Sequence, residues 1–308
     1  MRYLQPLLPC FLGFIFLLSS TQFFQLALIN GLGQLCLFLV VVCIPIWRTG
    51  RMSYVDIGWP WGLVLLGITN YHLNEGYWLR SLIVSGALIA VGLRMGLGAL
   101  NLWRLGYLSR EFPRYQYQRI RWDNENKENI ALALQVDAIT QGLANASFLS
   151  LPIFVIASNK SLEISVLEVV GLVVWFMAFL LESVADFQKT NFLRAMKKIG
   201  KRQEVCNVGL WRYCRHPNYF CEWMVWNGFV IASIPSWLAL KSEVSSVVWF
   251  SLALALLFTS RLMYITLVYE TGAVPSEYFS LEKRPGYKRY QETTNRFFPG
   301  PSRPSLVE

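Results

Sequence analysis

An all-α, polytopic membrane helix bundle with about eight transmembrane helices is what this sequence predicts, and three observations predict it. Of its 308 residues 54% are hydrophobic and 15% charged, a balance foreign to water-soluble domains. The apolar residues gather into runs near the ~20 residues needed to cross a bilayer. Lys and Arg concentrate on one side of those runs, as orientation by positive charge requires.

The runs fall at residues 4–24, 26–46, 57–73, 79–100, 130–157, 165–185, 218–240 and 244–268. Only Ser19 to Gln25 separates the first two, so the first run is either a span or half of a hairpin. Arg2 is a thin basic start and no small-residue cleavage site follows, which argues against a secretory leader. With a cytosolic N-terminus, the inner side collects Arg2, Arg48, Arg51, the basic residues from Arg104 to Lys127, those from Lys189 to Arg215, and those from Lys283 to Arg303. The outer side keeps Arg80, Lys160 and Lys241, while Arg94 and Arg261 fall inside spans. Both termini are therefore expected in the cytosol, and in a eukaryotic cell the endoplasmic reticulum membrane is the expected site.

That bias accounts for most of the net charge of +9, so the expected partner is the bilayer with its anionic headgroups, not nucleic acid. No obligate protein partner is implied. The six cysteines have no Cys-x-x-Cys spacing and lie in spans or on the cytosolic side, which argues against a disulfide framework. The two histidines, His72 and His216, are too far apart in sequence for a His-based zinc motif, and no metal is assigned. Asn159-Lys160-Ser161 is an acceptor sequon in an outer loop.

No repeat or low-complexity tract interrupts the chain, and its long polar segments, 101–129, 187–216 and the tail after Tyr269, meet on one face of the bilayer. The tail has breaks at Pro275, Pro285 and Pro299, with Tyr287 and Tyr290 three apart as on a helix face, and suits a cap over a cofactor site. LWRYCRHPNY, residues 210–219, is the most informative stretch. Pro217 fixes its own φ and keeps His216 out of the α region, so a helix should begin at Pro217. Its free N–H groups attract anions, and Arg212 and Arg215 supply forked donors suited to phosphate. Asn218, Tyr219 and Glu222 share one helical face, and Trp211 adjoins the cluster.

Ionisable residues at membrane depth are costly enough to be candidates for function. Glu182 and Asp186 are one turn apart; they either pair with Arg94 or Arg261 to hold the bundle, or orient a cofactor's hydroxyls. In RMSYVDIGWPWG, residues 51–62, Tyr54 and Asp56 open a span. A phenol beside a carboxylate can grip a carbonyl oxygen as charge develops there, although an interfacial Tyr and a capping Asp read the same way. RYQYQRIRW, residues 114–122, has the pattern of a surface helix.

At GLWRYCRHPNYFCEW, residues 209–223, the chain resembles the membrane superfamily of steroid 5-alpha-reductases, sterol reductases and isoprenylcysteine carboxyl methyltransferases. Its nearest likeness is to a branch grouped with the steroid 5-alpha-reductase C-terminal domain. RMSYVDIGW at 51–59, LESVADFQKTNF at 181–192 and EYFSLEKRPGYKRYQETTNRFFP at 277–299 extend the likeness over nearly the whole chain. The resemblance implies N-terminal membrane helices over 1–56 and a reductase-like catalytic membrane domain with a cytosolic tail over 57–308. It implies an NADPH site made by Lys189, Trp211, Arg212, Arg215, His216, Asn218, Tyr219, Glu222, Arg284, Tyr287 and Tyr290, to which the residue reading adds Asp186. Glu277 and Arg284 stand in for an Arg-Asp tail signature. Tyr54 and Asp56 substitute for the Gln-Glu pair that grips the enone oxygen in steroid reductases, and Glu182 joins them as a catalytic candidate.

NADPH carries several negative charges that basic residues can offset, whereas S-adenosylmethionine carries no phosphate. The expectation is an NADPH-dependent reductase of a carbon–carbon double bond in a steroid-like or other lipophilic substrate. The alternatives are an S-adenosylmethionine-dependent methyltransferase of a prenylcysteine or phospholipid, and a non-catalytic membrane protein with a degenerate fold.

Overall fold

The computed structural model describes residues 3–304, and every regular element among them is a helix. Arg2, counted above with the inner charges, lies outside the described residues. In chain order the helices are α1 (Leu7–Ser19), α2 (Phe24–Thr49), α3 (Val55–Leu73), α4 (Trp78–Arg104), α5 (Pro113–Asn124), α6 (Ile130–Ser158), α7 (Val166–Lys198), α8 (Pro217–Ser242), α9 (Ser246–Ile265), α10 (Ala273–Lys283) and α11 (Tyr287–Thr293).

Among the described residues six helical runs are long and apolar enough to cross a membrane: α2, α4, α6, α7, α8, and the run Ser246–Lys283 that carries α9 through a π-helical turn into α10. The protein is thus a multi-pass membrane protein with fewer qualifying spans than the eight drawn from the sequence. The first run became α1, whose 13 residues reach only about 20 Å against a hydrocarbon core of about 30 Å. The third became α3, which is long enough, but Asp56, Pro60, Asn70 and His72 interrupt its apolar character.

Local chemistry sets the boundaries. Gly50, at φ 70°, ends α2 and returns its N–H to Ile46 at 2.7 Å. Pro113 opens α5 and Asn129 caps α6, accepting the Leu132 N–H at 2.9 Å. Segment 187–216, read as a loop, is helical as far as Lys198. FQKTNFLRAMKK contains no Gly or Pro, so α7 runs on to 33 residues and stops only where Gly200 takes φ 76°.

The chain divides into two compact units. The first comprises residues 1–171 and 229–259, the second 172–228 and 260–308. Inside the first, three buried carboxamides tie helices together: Gln34 donates to Asn30 Oδ1 at 3.1 Å and to the Gly62 carbonyl at 2.8 Å, while Asn145 donates to the Trp59 carbonyl at 3.1 Å. Such bonds count for more where no water competes. Arg80, placed by sequence on the outer side, is buried and pairs with Glu168 at 2.8 Å. In the second unit α7 and α8 approach closely at Gly228, where a Cβ would press on the Trp175 backbone at 2.6 Å.

Candidate functional site

Most of the predicted site residues come together in the second unit, where the end of α7, the junction before α8, and the tail helices α10 and α11 meet. Pro217 is the first residue of α8, as its fixed φ requires. Just before it, Trp211 is buried and donates its indole N–H to the Ala185 carbonyl at 2.8 Å. Gln188 Oε1 accepts the Leu210 N–H at 2.9 Å, so α7 holds this junction from two directions. The Lys189 ammonium sits 4.0 Å from the Trp211 ring centroid, a cation–π contact with a partly desolvated charge.

The tail closes over the junction through Glu277. Its carboxylate accepts Arg215 Nε at 2.7 Å and Nη2 at 3.3 Å, Gln291 at 2.9 Å and Arg296 at 3.2 Å, and lies 3.2 Å from His216 Nε2. Arg215 also donates to the carbonyls of Gln291 at 2.8 Å and Thr294, and its backbone N–H reaches Asn295 O at 2.9 Å. Tyr290 donates to the Trp211 carbonyl, and Tyr287 and Tyr290 are both buried.

Those bonds give Arg215 partners other than the expected phosphate. Arg215, read as a phosphate donor, is consumed by Glu277 and tail carbonyls, because a buried guanidinium needs a counter-charge and acceptors for its fork. Arg212 is exposed, with its carbonyl taken by Ser302 at 3.1 Å. Lys189 and Arg284 form no salt bridge among the described residues. The Arg284 guanidinium, at the end of α10, donates to Ser280 Oγ at 3.1 Å. Burial pushes the Cys206 thiol pKa up, while the Lys189 and Arg284 charges pull it down.

Burial dominates the electrostatics at the junction. It lowers the His216 pKa to about 4, with the Glu277 hydrogen bond opposing and the Lys189 and Arg215 charges reinforcing. It also raises the Cys214 thiol to about 11 and pushes Tyr287 and Tyr290 up. On α8, Asn218 donates to Asp186 Oδ1 at 3.1 Å, and its own Oδ1 is buried without a hydrogen-bond partner among the described residues. Tyr219 stacks on the His216 ring, with centroids 5.4 Å apart and planes at 7°.

Residues 43–294 match the model of the family described as "Protein of unknown function (DUF1295)". The chain belongs to that family. No curated protein and no solved structure matches it. The DUF1295 match contains every candidate from Tyr54 to Tyr290, while α1 and the junction residues Asn295 and Arg296 fall outside it.

The remaining candidates of the DUF1295 region are placed differently. Glu222 is half-buried, a turn beyond Asn218 on α8, and Glu182 is buried on α7, a turn before Asp186. Tyr54 and Asp56 belong to the first unit. Asp56 does not turn to Tyr54; it is paired with Arg114 and accepts the Tyr115 hydroxyl at 2.6 Å. Glu111 caps the same turn, accepting the Met52 and Ser53 N–H groups at 2.9 and 3.0 Å. Tyr54 lines an open apolar groove of about 630 Å³ with Leu37, Val41, Trp61, Leu65 and Trp103, and its hydroxyl makes no hydrogen bond among the described residues.

Sequence reasoning missed Arg296, Gln291 and Thr294 as parts of the junction, and gave Glu277 a smaller place than it holds. A usable signal existed for Glu277. Glu277 opens the tail motif EYFSLEKRPGYKRY, in which it already stood in for an acidic signature residue.

Proposed function

We propose that this protein is an integral-membrane oxidoreductase of the steroid 5-alpha-reductase-like superfamily, using NADPH to reduce a carbon–carbon double bond in a steroid-like or other lipophilic substrate. The observation that carries this reading is that Lys189, set against the buried Trp211, and Arg284, at the end of α10, are partly buried cations that form no salt bridge among the described residues. A partly buried cation is costly unless an anion joins it.

The residues fit a dinucleotide. Lys189 and Arg284 would hold phosphate, and the orphaned Asn218 Oδ1 would accept a hydroxyl or amide N–H. Asp186 and Glu182 offer acceptors for ribose hydroxyls. Tyr287, Tyr290, Tyr219 and Glu222 would flank the dinucleotide, while Arg215 and His216 hold the tail in place through Glu277. When bound, NADPH supplies the hydride.

The apolar groove of the first unit suits a lipophilic substrate entering from the bilayer. There Tyr54, whose hydroxyl makes no hydrogen bond among the described residues, is able to donate to a carbonyl oxygen of a ligand held in that groove. Asp56, held by Arg114 and Tyr115, fixes the turn that carries Tyr54. Cytosolic termini and, in a eukaryote, an endoplasmic reticulum membrane complete the proposal.

Titrating the purified protein in detergent with NADPH and separately with S-adenosylmethionine tests it. Saturable NADPH binding that weakens in Lys189→Ala and Arg284→Ala is the expected result. Tight binding of S-adenosylmethionine alone overturns it.

A further inference from the structure

The Glu277 carboxylate is surrounded by donors. Arg215 reaches Oε1 at 2.7 Å and Oε2 at 3.3 Å, Arg296 reaches Oε2 at 3.2 Å, and the Gln291 amide reaches Oε2 at 2.9 Å. A carboxylate so engaged only accepts, so His216 Nε2, 3.2 Å from Oε1, must carry the hydrogen in that contact. The ring is 3% exposed and stacked on Tyr219, which fixes its plane. Nδ1 takes no hydrogen bond from a described residue.

Burial keeps a second proton off the ring at neutral pH. The charged groups that act on it are Lys189 from α7 and Arg215 from the junction, which oppose protonation, and Glu277 from α10, which favours it. With one hydrogen on the ring and that hydrogen on Nε2, the lone pair stays on Nδ1.

We infer that Glu277 is a positioning residue that holds His216 in its neutral Nε2–H tautomer, so that the start of α8 presents Nδ1 as an acceptor for a hydroxyl or amide N–H of a bound ligand. The identity of that ligand rests on the NADPH reading, whereas the tautomer does not. The buried Asn218 Oδ1, two residues further along, is a second acceptor without a donor. Two acceptors at the start of α8 match a ligand rich in hydroxyl or amide donors, such as a ribose or a carboxamide.

The chain contains two histidines, His72 and His216, so protein labelled with heavy nitrogen at histidine gives two ring systems, and His72→Asn assigns them. At neutral pH the ligand-free full-length protein should show His216 protonated on Nε2 and bare on Nδ1. Adding NADPH should move the Nδ1 resonance toward that of a hydrogen-bonded acceptor and leave Nε2 protonated. Glu277→Gln should mix the tautomers while the His72 signals, as the check on folding, stay in place. An imidazolium or an Nδ1–H ring in the ligand-free protein overturns the inference, as does NADPH that binds without moving Nδ1. Should NADPH not bind at all, the cofactor reading fails separately. S-adenosylmethionine, which also offers ribose hydroxyls, is then the probe, and the acceptor role fails if that too leaves Nδ1 unmoved.

Discussion

Arg215 and Glu277, 62 residues apart in the chain, form a buried two-point ion pair, with Nε to Oε1 at 2.7 Å and Nη2 to Oε2 at 3.3 Å. The pair joins the turn before α8 to the first tail helix. Its Arg side also serves the carbonyls of Gln291 and Thr294, so a single guanidinium gathers α10, α11 and the strand of chain after them. Losing it should free the tail as a unit.

Glu277→Ala leaves Arg215 buried without its anion, and removing one partner of a buried pair typically costs about 3–5 kcal/mol. Unfolding of the detergent-solubilised variant followed by circular dichroism should register that loss. Hydrogen exchange should rise first over residues 287–303. A variant within about 1 kcal/mol of the parent would contradict the role assigned to the pair.

Stability should also fall in mild acid. His216 has its pKa lowered in the fold to about 4 from the ordinary 6.5, so between those values the unfolded chain binds more protons than the folded one. Folding stability is then fully present above 6.5 and is lost as pH falls through that window toward 4. The full effect is on the order of 3 kcal/mol. In His216→Gln this part of the pH dependence should vanish, and its persistence would assign the slope to other groups.

Lys189 and Arg284 set the third expectation. Charge-assisted hydrogen bonds to phosphate contribute about 1.5–3 kcal/mol, so Lys189→Met or Arg284→Met should weaken NADPH binding roughly 10- to 100-fold. Raising the salt concentration should narrow the gap between the parent and each variant. Equal affinities in all three proteins would remove these cations from the site.

Asp56 anchors α5 through Arg114 and the buried Tyr115, whose pKa is raised well above its usual value by burial and by the Asp56 charge. Asp56→Asn should loosen residues 113–124 by about 1–3 kcal/mol in hydrogen exchange, with Tyr115→Phe producing a smaller change of the same kind. NADPH affinity should be unaffected. Unchanged protection of this helix would mean that the carboxylate does not anchor it.

Much of the architecture was legible in the chain. Apolar runs of bilayer length predicted the spans, Pro217 marked the first residue of α8, and Tyr287 and Tyr290 shared a helix face because their spacing of three allows nothing else. The gathering of Lys189, Trp211, His216, Asn218 and the tail tyrosines was legible too, through motif resemblance. The roles inside the cluster were not. Arg212 and Arg215 look alike in sequence, yet one is exposed and the other buried against Glu277. Lys189 was read in a loop and stands on a helix.

Hydrophobic periodicity and the dihedral limits of proline and glycine act within a few residues, so the sequence by itself determined which segments are helical and where several of them begin and end. Pairing between distant charges is a different kind of quantity. It depends on which side chains packing removes from water, and only the tertiary structure decided that Glu277 would claim Arg215 and His216 while Lys189 stacked on Trp211.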